Sequence, residues 1–260
     1  MTLTADLAID GTPLRGIAER LSGASGDGAN RPVLAVHAFH GDDPASVPAI
    51  GDAQRLLLWG LLPRRVRVGP VVGPGEEGCT VCLSYWLDHN RPDAAQWRAL
   101  PGAASPPLAD YPWHPLVYHL IESVSADLLG GSERSFVDID PATLRIAVHR
   151  YQPSPDCTRC SPRVTDDPRL ATRPAGQRAK PSASRFRARA MPAVAELRRR
   201  YCDYRVGLIR HMYRESNSNL LPMWGAESKL PRLDISEVGY GRHRSARLAE
   251  GVAILEALER

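Results

Sequence analysis

Apolar residues fall along this chain in short runs broken by glycine and proline, and the spacing inside each run predicts an element. "RPVLAVHA" (Arg31–Ala38) is a valine-bearing run bounded by Gly, Asn and Pro, which predicts a buried strand. "VPAIGDAQRLLLWGLL" sets Ile50, Leu57 and Leu61 on one helical face and predicts a helix. "RRVRVGP" predicts a strand that ends at Gly69-Pro70, and "LSYWLDHN" a helix. In "HPLVYHLIESVSADLLGG" the residues Leu116, Leu120, Val124 and Leu128 recur every four positions ahead of a Gly130-Gly131 stop, predicting the clearest helix. "SFVDID" and "TLRIAVHR" predict a hairpin turning at Pro141. Further on, "PAVAELRRRYCDY" predicts a short helix and turn, and "VGLIRHMYRE" a strand in which Val206 and Leu208 alternate. "SARLAEGVAILEALER", from Ser245 onward, predicts a last helix packed through Leu248, Val252, Ile254, Leu255 and Leu258.

This order predicts an α/β domain over residues 1–160 and a separate segment over 191–260. At 260 residues there is room for a proper core, and 43% hydrophobic with 24% charged residues is ordinary for a soluble globular protein. The longest apolar run, "LLLWGLL", is far too short to span a membrane. The N-terminus lacks the basic-then-apolar order of a secretory signal, so a cytoplasmic protein without a membrane partner is expected. Neither common nucleotide-binding glycine loop is present, and "GDGAN" (Gly26–Asn30) precedes a strand and predicts a plain loop.

The net charge of +4 is unevenly spread: residues 161–190 hold eight Lys/Arg against two acids, with four prolines and no period. Such a stretch predicts a solvated linker, or else a basic arm for an acidic partner. Only Phe186 is available to stack a base, which argues against nucleic acid.

Four of the five cysteines form two Cys-x-x-Cys pairs, Cys79/Cys82 and Cys157/Cys160. A reducing compartment disfavours disulfides, whereas zinc takes four thiolates in a tetrahedron. Two intervening residues let a tight turn offer both sulfurs of a pair to one ion, and "VGPVVGPGEEG" and "YQPSPD" supply turn chemistry before each pair. One pair alone would suit redox chemistry; two make a closed structural site stapling distant segments. Cys202 is left as a buried or half-buried small apolar residue. The histidines, among them His114, His119, His211 and His243, share no ligand spacing and read as structural or surface groups. On the last helix Glu256 and Glu259 rise from one side, with Arg260 one turn beyond Glu256. That is either a solvated face or a pair able to share Mg²⁺ with nucleotide phosphates.

Two stretches carry a family resemblance. "VRVGPVVGPGEEGCTVCL", with "DCTRC" downstream, resembles the E1-like (ThiF-like) zinc-bound partner domain of azoline-forming cyclodehydratases. "GRHRSARLAEGVAILEALER" resembles the opening motif of the YcaO family through Gly241, Ser245, Ala249, Ala253, Glu256, Ala257, Glu259 and Arg260, while Arg242 and His243 depart from it. The resemblance implies an E1-like zinc domain over 1–160, a linker over 161–190 and an incomplete YcaO α+β segment over 191–260. It implies ATP-dependent azoline formation on a ribosomal precursor peptide, as in bacteriocin- or thiopeptide-type products. There a Cys, Ser or Thr side chain attacks the preceding carbonyl, and ATP phosphorylates the resulting oxygen before it leaves. By the same resemblance Ser245, Glu256, Glu259 and Arg260 bind Mg²⁺ and ATP in a complete YcaO domain. A YcaO domain runs to several hundred residues, so the chain is expected to be a fragment, inactive alone, that works with a separate leader-peptide-binding protein. A homodimer is its simplest assembly. The rival expectation is a non-catalytic zinc-stapled adaptor that docks a precursor peptide or partner enzyme.

Overall fold

The computed structural model describes residues 13–24, 33–40, 54–62, 64–73, 75–91, 113–131, 133–161, 182, 190–216, 220–229 and 235–260. The expected "GDGAN" loop, the extreme N-terminus, Ile50 and nearly all of the 161–190 linker lie outside these residues. In chain order the elements are α1 (Pro13–Ala24), β1 (Val33–His40), β2 (Gln54–Leu62), β3 (Arg65–Val72), α2 (Thr80–Asn90), α3 (Pro115–Gly130), β4 (Ser135–Ile139) and β5 (Ile146–Arg150). They continue as α4 (Val194–Tyr201), β6 (Ile209–Glu215), β7 (Met223–Lys229), β8 (Ser236–Arg242) and α5 (Ala246–Glu259). The architecture is mixed α/β. One sheet runs β1-β2-β3-β4-β5 and a second runs β6-β7-β8. Only β1 and β2 pair in parallel; the other neighbours are antiparallel.

The helix expected over "VPAIGDAQRLLLWGLL" is instead the strand β2, an inner member of the larger sheet. Six residues in a row, Leu56, Leu57, Leu58, Trp59, Gly60 and Leu61, are buried, so both faces of the strand are covered. A strand hidden on two faces shows no alternation, and its apolar run mimics a buried helix. Trp59 places its indole N–H on Ser125 Oγ of α3 at 3.1 Å, satisfying the polar edge of a buried ring. β3 also runs past its expected end, crossing the cis Gly69-Pro70 bond to Val72.

α3 forms where its period predicts, but rotated. The buried line is Val117, Ile121 and Ser125, while Leu116 is 49% exposed. The helix packs through its neighbouring stripe because Val117 and Ile121 join α1 (Leu14, Ile17, Leu21) in the core over β2 and β3. The expected hairpin is β4–β5, with Pro141 in its turn. α1, β7 and β8 have no counterpart among the expected elements.

β6 starts at Ile209, so Val206 and Leu208 belong to the turn before it and do not alternate in the strand. The last helix also turns a different face inward than its large apolar residues suggest. Ala249, Ala253 and Ala257 are buried with Ile254, whereas Leu248 is 39% exposed. The reason lies on β8. A Cβ added at Gly239 or Gly241 would overlap the α5 backbone at Ala253, Ala257 and Ala249. Helix and strand approach so closely that only small residues fit on both sides. α4 ties to α5 through Arg198 Nη1 donating to Glu250 Oε1 at 3.0 Å.

Candidate functional site

The two Cys-x-x-Cys pairs converge. Cys79 is the N-cap of α2, and Cys82 lies in its first turn. Cys157 and Cys160 occupy the turns that follow β5. Across a separation of 78 residues, Cys79 Sγ stands 3.5 Å from Cys157 Sγ, and Cys82 Sγ stands 3.4 Å from Cys160 Sγ. All four sulfurs lie within 4.8 Å of one another, three of the cysteines being buried and Cys160 partly so. A tetrahedron with metal–sulfur bonds of about 2.3 Å has sulfur–sulfur edges of about 3.8 Å, so the spacing suits one divalent ion such as zinc.

The surroundings are built for anionic sulfur. Ser154 N–H points to Cys82 Sγ at 3.3 Å and Arg159 N–H to Cys157 Sγ at 3.4 Å. The amide-rich start of α2 adds positive potential at Cys79 and Cys82. A hydrogen bond from Cys82 draws the Cys79 thiol down to about 4, against burial, which raises it. The same bond, together with burial, pushes Cys82 up, and burial raises Cys160. The hydrogen bond thus favours the thiolate at Cys79, while burial favours the neutral thiol at Cys82 and Cys160. A divalent cation resolves that conflict for the whole set.

The scaffold around the thiols is rigid. Tyr151 Oη donates to Gly78 O at 2.6 Å, Trp86 Nε1 to Gln152 O at 2.7 Å, and Arg159 Nη1 to Thr80 Oγ1 at 2.8 Å. Leu83, Trp86, Phe136 and Tyr151 pack with the cysteines in a second core, which Val206 from the C-terminal part also enters. Cys202 is free and half-buried, as expected, with its thiol pushed up to about 12 by burial.

Behind this core runs a buried charged seam that the sequence reading did not single out. Asp138 on β4 accepts from Arg67 Nε at 3.2 Å, pairs with Arg205, and lies 3.7 Å from Arg65 Nε and 3.6 Å from His149 Nε2. His149 Nδ1 meets Asp203 Oδ2 at 2.9 Å. The fully buried Arg67 guanidinium sits 4.7 Å from the Phe136 ring centre, and that ring stacks on His149. The available signal was the alternation of "RRVRV" against "FVDID", which sets Arg67 directly opposite Asp138 in the β3–β4 register. Arg205 and Asp203 come from the far side of the 161–190 stretch, so the seam joins the two parts.

The nucleotide candidates lie on α5. Ser245 is its N-cap and accepts from Leu248 N at 3.5 Å. Glu256 and Glu259 sit in its last turns, about 17 Å or more away at 1.5 Å per residue. Arg260 Nη2 donates to Glu256 Oε1 at 3.0 Å and Nη1 to Glu237 Oε2 at 3.3 Å. The structure therefore groups Glu256, Glu259 and Arg260 at one end of the helix and leaves Ser245 at the other. Among the other histidines, His114 caps α3, and His243 Nδ1 accepts from Ser245 N.

No family model and no curated protein matches this chain. Solved structures do. A heterocyclase in complex with substrate and cofactor aligns with a TM-score of 0.54 at 16% identity, over 87% of this chain and 34% of its own. The chain shares its fold with about a third of that heterocyclase. The heterocyclase TruD aligns with a TM-score of 0.40 at 18% identity, over 77% of this chain and 32% of its own. E. coli MccB aligns at 0.32 and 18%, over 52% of this chain and 40% of its own. The last two are too distant in shape to add weight. The chain spans about a third of the length of the heterocyclases it matches.

Proposed function

We propose that this chain is a component of an ATP-dependent cyclodehydratase that forms azoline rings on a ribosomally made precursor peptide. The observation that carries the reading is the heterocyclase fold shared over 87% of the chain. The four-thiol cluster supports it as a structural zinc site, filled by four sulfurs with no position left for water or substrate. In this reading residues 1–160 form the E1-like partner domain and residues 191–260 the opening of a YcaO-type domain.

The donor chemistry at the end of α5 suits Mg²⁺–ATP. Glu256 and Glu259 are carboxylates three residues apart at an accessible helix end, with the Arg260 guanidinium beside them. They would hold Mg²⁺ against nucleotide phosphates while Arg260 faces the phosphate charge. Ser245, whose oxygen accepts from Leu248 N, keeps its O–H to donate. ATP supplies the phosphoryl group that turns the former carbonyl oxygen into a leaving group.

The test follows phosphate release from ATP and loss of water from the peptide by mass spectrometry, with a leader-binding partner present. It is run on this chain and on the product of any coding sequence that continues its frame. Glu256→Gln and Glu259→Gln should each lower both readouts by at least about a hundredfold, the scale of removing one positioned electrostatic group, with metal content unchanged. Unaltered turnover would remove both glutamates from the site. A second reading, a zinc-stapled adaptor, is favoured by the four-thiol cluster itself, which leaves no position for a reacting group. It predicts peptide or partner capture with no ATP turnover in any form of the protein.

A further inference from the structure

An open pocket of about 450 Å³ lies where the end of α2, the turn before β6 and the start of β3 meet. Into it come Arg65 from β3, Arg91 from the end of α2, Arg205 and Tyr204 from the turn, and Arg210 and His211 from β6. Among the described residues no carboxylate lines it. We propose that this pocket binds the carboxylate side chains of an acidic peptide segment. The inference rests on the peptide-processing reading for the class of ligand, and on the pocket alone for its charge.

The arginines arrive from three separate segments, β3, the end of α2 and the turn leading into β6, so their convergence is a product of the tertiary fold. Three of them are held from behind. Arg205 pairs with the buried Asp138, Arg65 Nε lies 3.7 Å from the same carboxylate, and Arg210 Nη2 reaches Glu227 Oε1 at 2.8 Å. Each guanidinium carries its five donors in a planar fork. A pre-positioned planar fork matches a carboxylate in the ligand at low entropic cost. The wall is fixed as well, since Asn90 Nδ2 donates to Gly207 O at 2.9 Å.

Size and lining favour a peptide over a lone phosphate. The volume falls in the range of pockets, about 300–1,000 Å³, that take ligands much larger than one tetrahedral anion. Leu87 and the exposed Tyr204 offer apolar surface for the methylene stems of glutamates or for residues between them. The cationic rim would also draw an acidic segment in from solution, an effect that weakens with salt.

The experiment measures fluorescence anisotropy of a labelled Glu-rich peptide, its Gln-for-Glu counterpart, and the Glu peptide in competition with inorganic phosphate. The protein used is metal-loaded. The Glu peptide should bind at least about tenfold more tightly than the Gln peptide, the scale of one charge-assisted hydrogen bond, and should weaken as salt rises. Arg91→Glu, which leaves the Asp138 seam intact, should lose a comparable factor with metal content and circular dichroism preserved. Arg210→Gln serves as the second variant. Equal binding of the two peptides overturns the proposal, as does unchanged affinity in both variants. Binding of phosphate with no binding of the Glu peptide makes it a phosphate site and overturns it equally. Any of these failures leaves the cyclodehydratase reading standing on phosphate release. Failure of that assay with acidic-peptide binding intact would instead leave a docking pocket in another kind of protein.

Discussion

Cys82→Ser removes one sulfur from the cluster while keeping the side chain nearly the same size. Cys82 is fully buried and receives the Ser154 N–H, so the substitution strikes the centre of the site. With the metal in place, the four thiols close a loop of 78 residues between the paired knuckles. The entropy of closing a loop that long is worth about 4.5 kcal/mol at room temperature, treating the clip like a covalent link. That is comparable to the whole stability of many domains. For a chain of this size about 1 kcal/mol shifts the unfolding midpoint by roughly 2–4 °C, so a drop of about 10–18 °C is expected. Elemental analysis should show less than one metal per chain, and chelation of the wild type should reproduce much of the thermal shift. If the variant keeps a full equivalent of metal and unfolds where the wild type does, the cluster neither coordinates through Cys82 nor staples the fold.

Asp138→Asn leaves the fully buried Arg67 without its carboxylate and should cost about 3–5 kcal/mol, read from the urea midpoint; a shift below measurement would mean the seam is not electrostatically coupled. Gly241→Val drives a side chain into the α5 backbone and should destabilise by about 1–3 kcal/mol or more, whereas a neutral result would refute the close helix–strand contact. Glu133 is held below the usual carboxylate range first by Arg150 and then by Arg199. Its contribution is complete above the unfolded value and lost as pH falls through the lower folded one. Glu133 and both partners are open to solvent screening, so Glu133→Gln should flatten the acid side of a melting-temperature profile by well under about 1 kcal/mol.

Some of this protein is legible from local pattern alone. β1, β3, the β4–β5 hairpin, α2, α3 and α5 follow from periodicity and turn residues, because those signals act within a few positions. The Cys-x-x-Cys pairs announce a shared ion by residue type and count. Other features do not follow, among them α1, β7 and β8, which carry no expected counterpart. β2 reads as a helix because burial on both faces erases its alternation. α3 and α5 form as read yet turn other faces inward, since Val117 and Ile121 meet α1 while Gly239 and Gly241 admit only the alanine face of α5.

The sequence by itself determined the four cysteines of the thiol cluster and the helix that carries the first pair, since residue type and short-range spacing are local quantities. Only the tertiary structure decided that Cys79 lies 3.5 Å from Cys157, that Arg67 is buried against Asp138, and that four arginines from three segments share one pocket. Contacts between residues tens of positions apart depend on how every intervening element packs, and no local window contains that information.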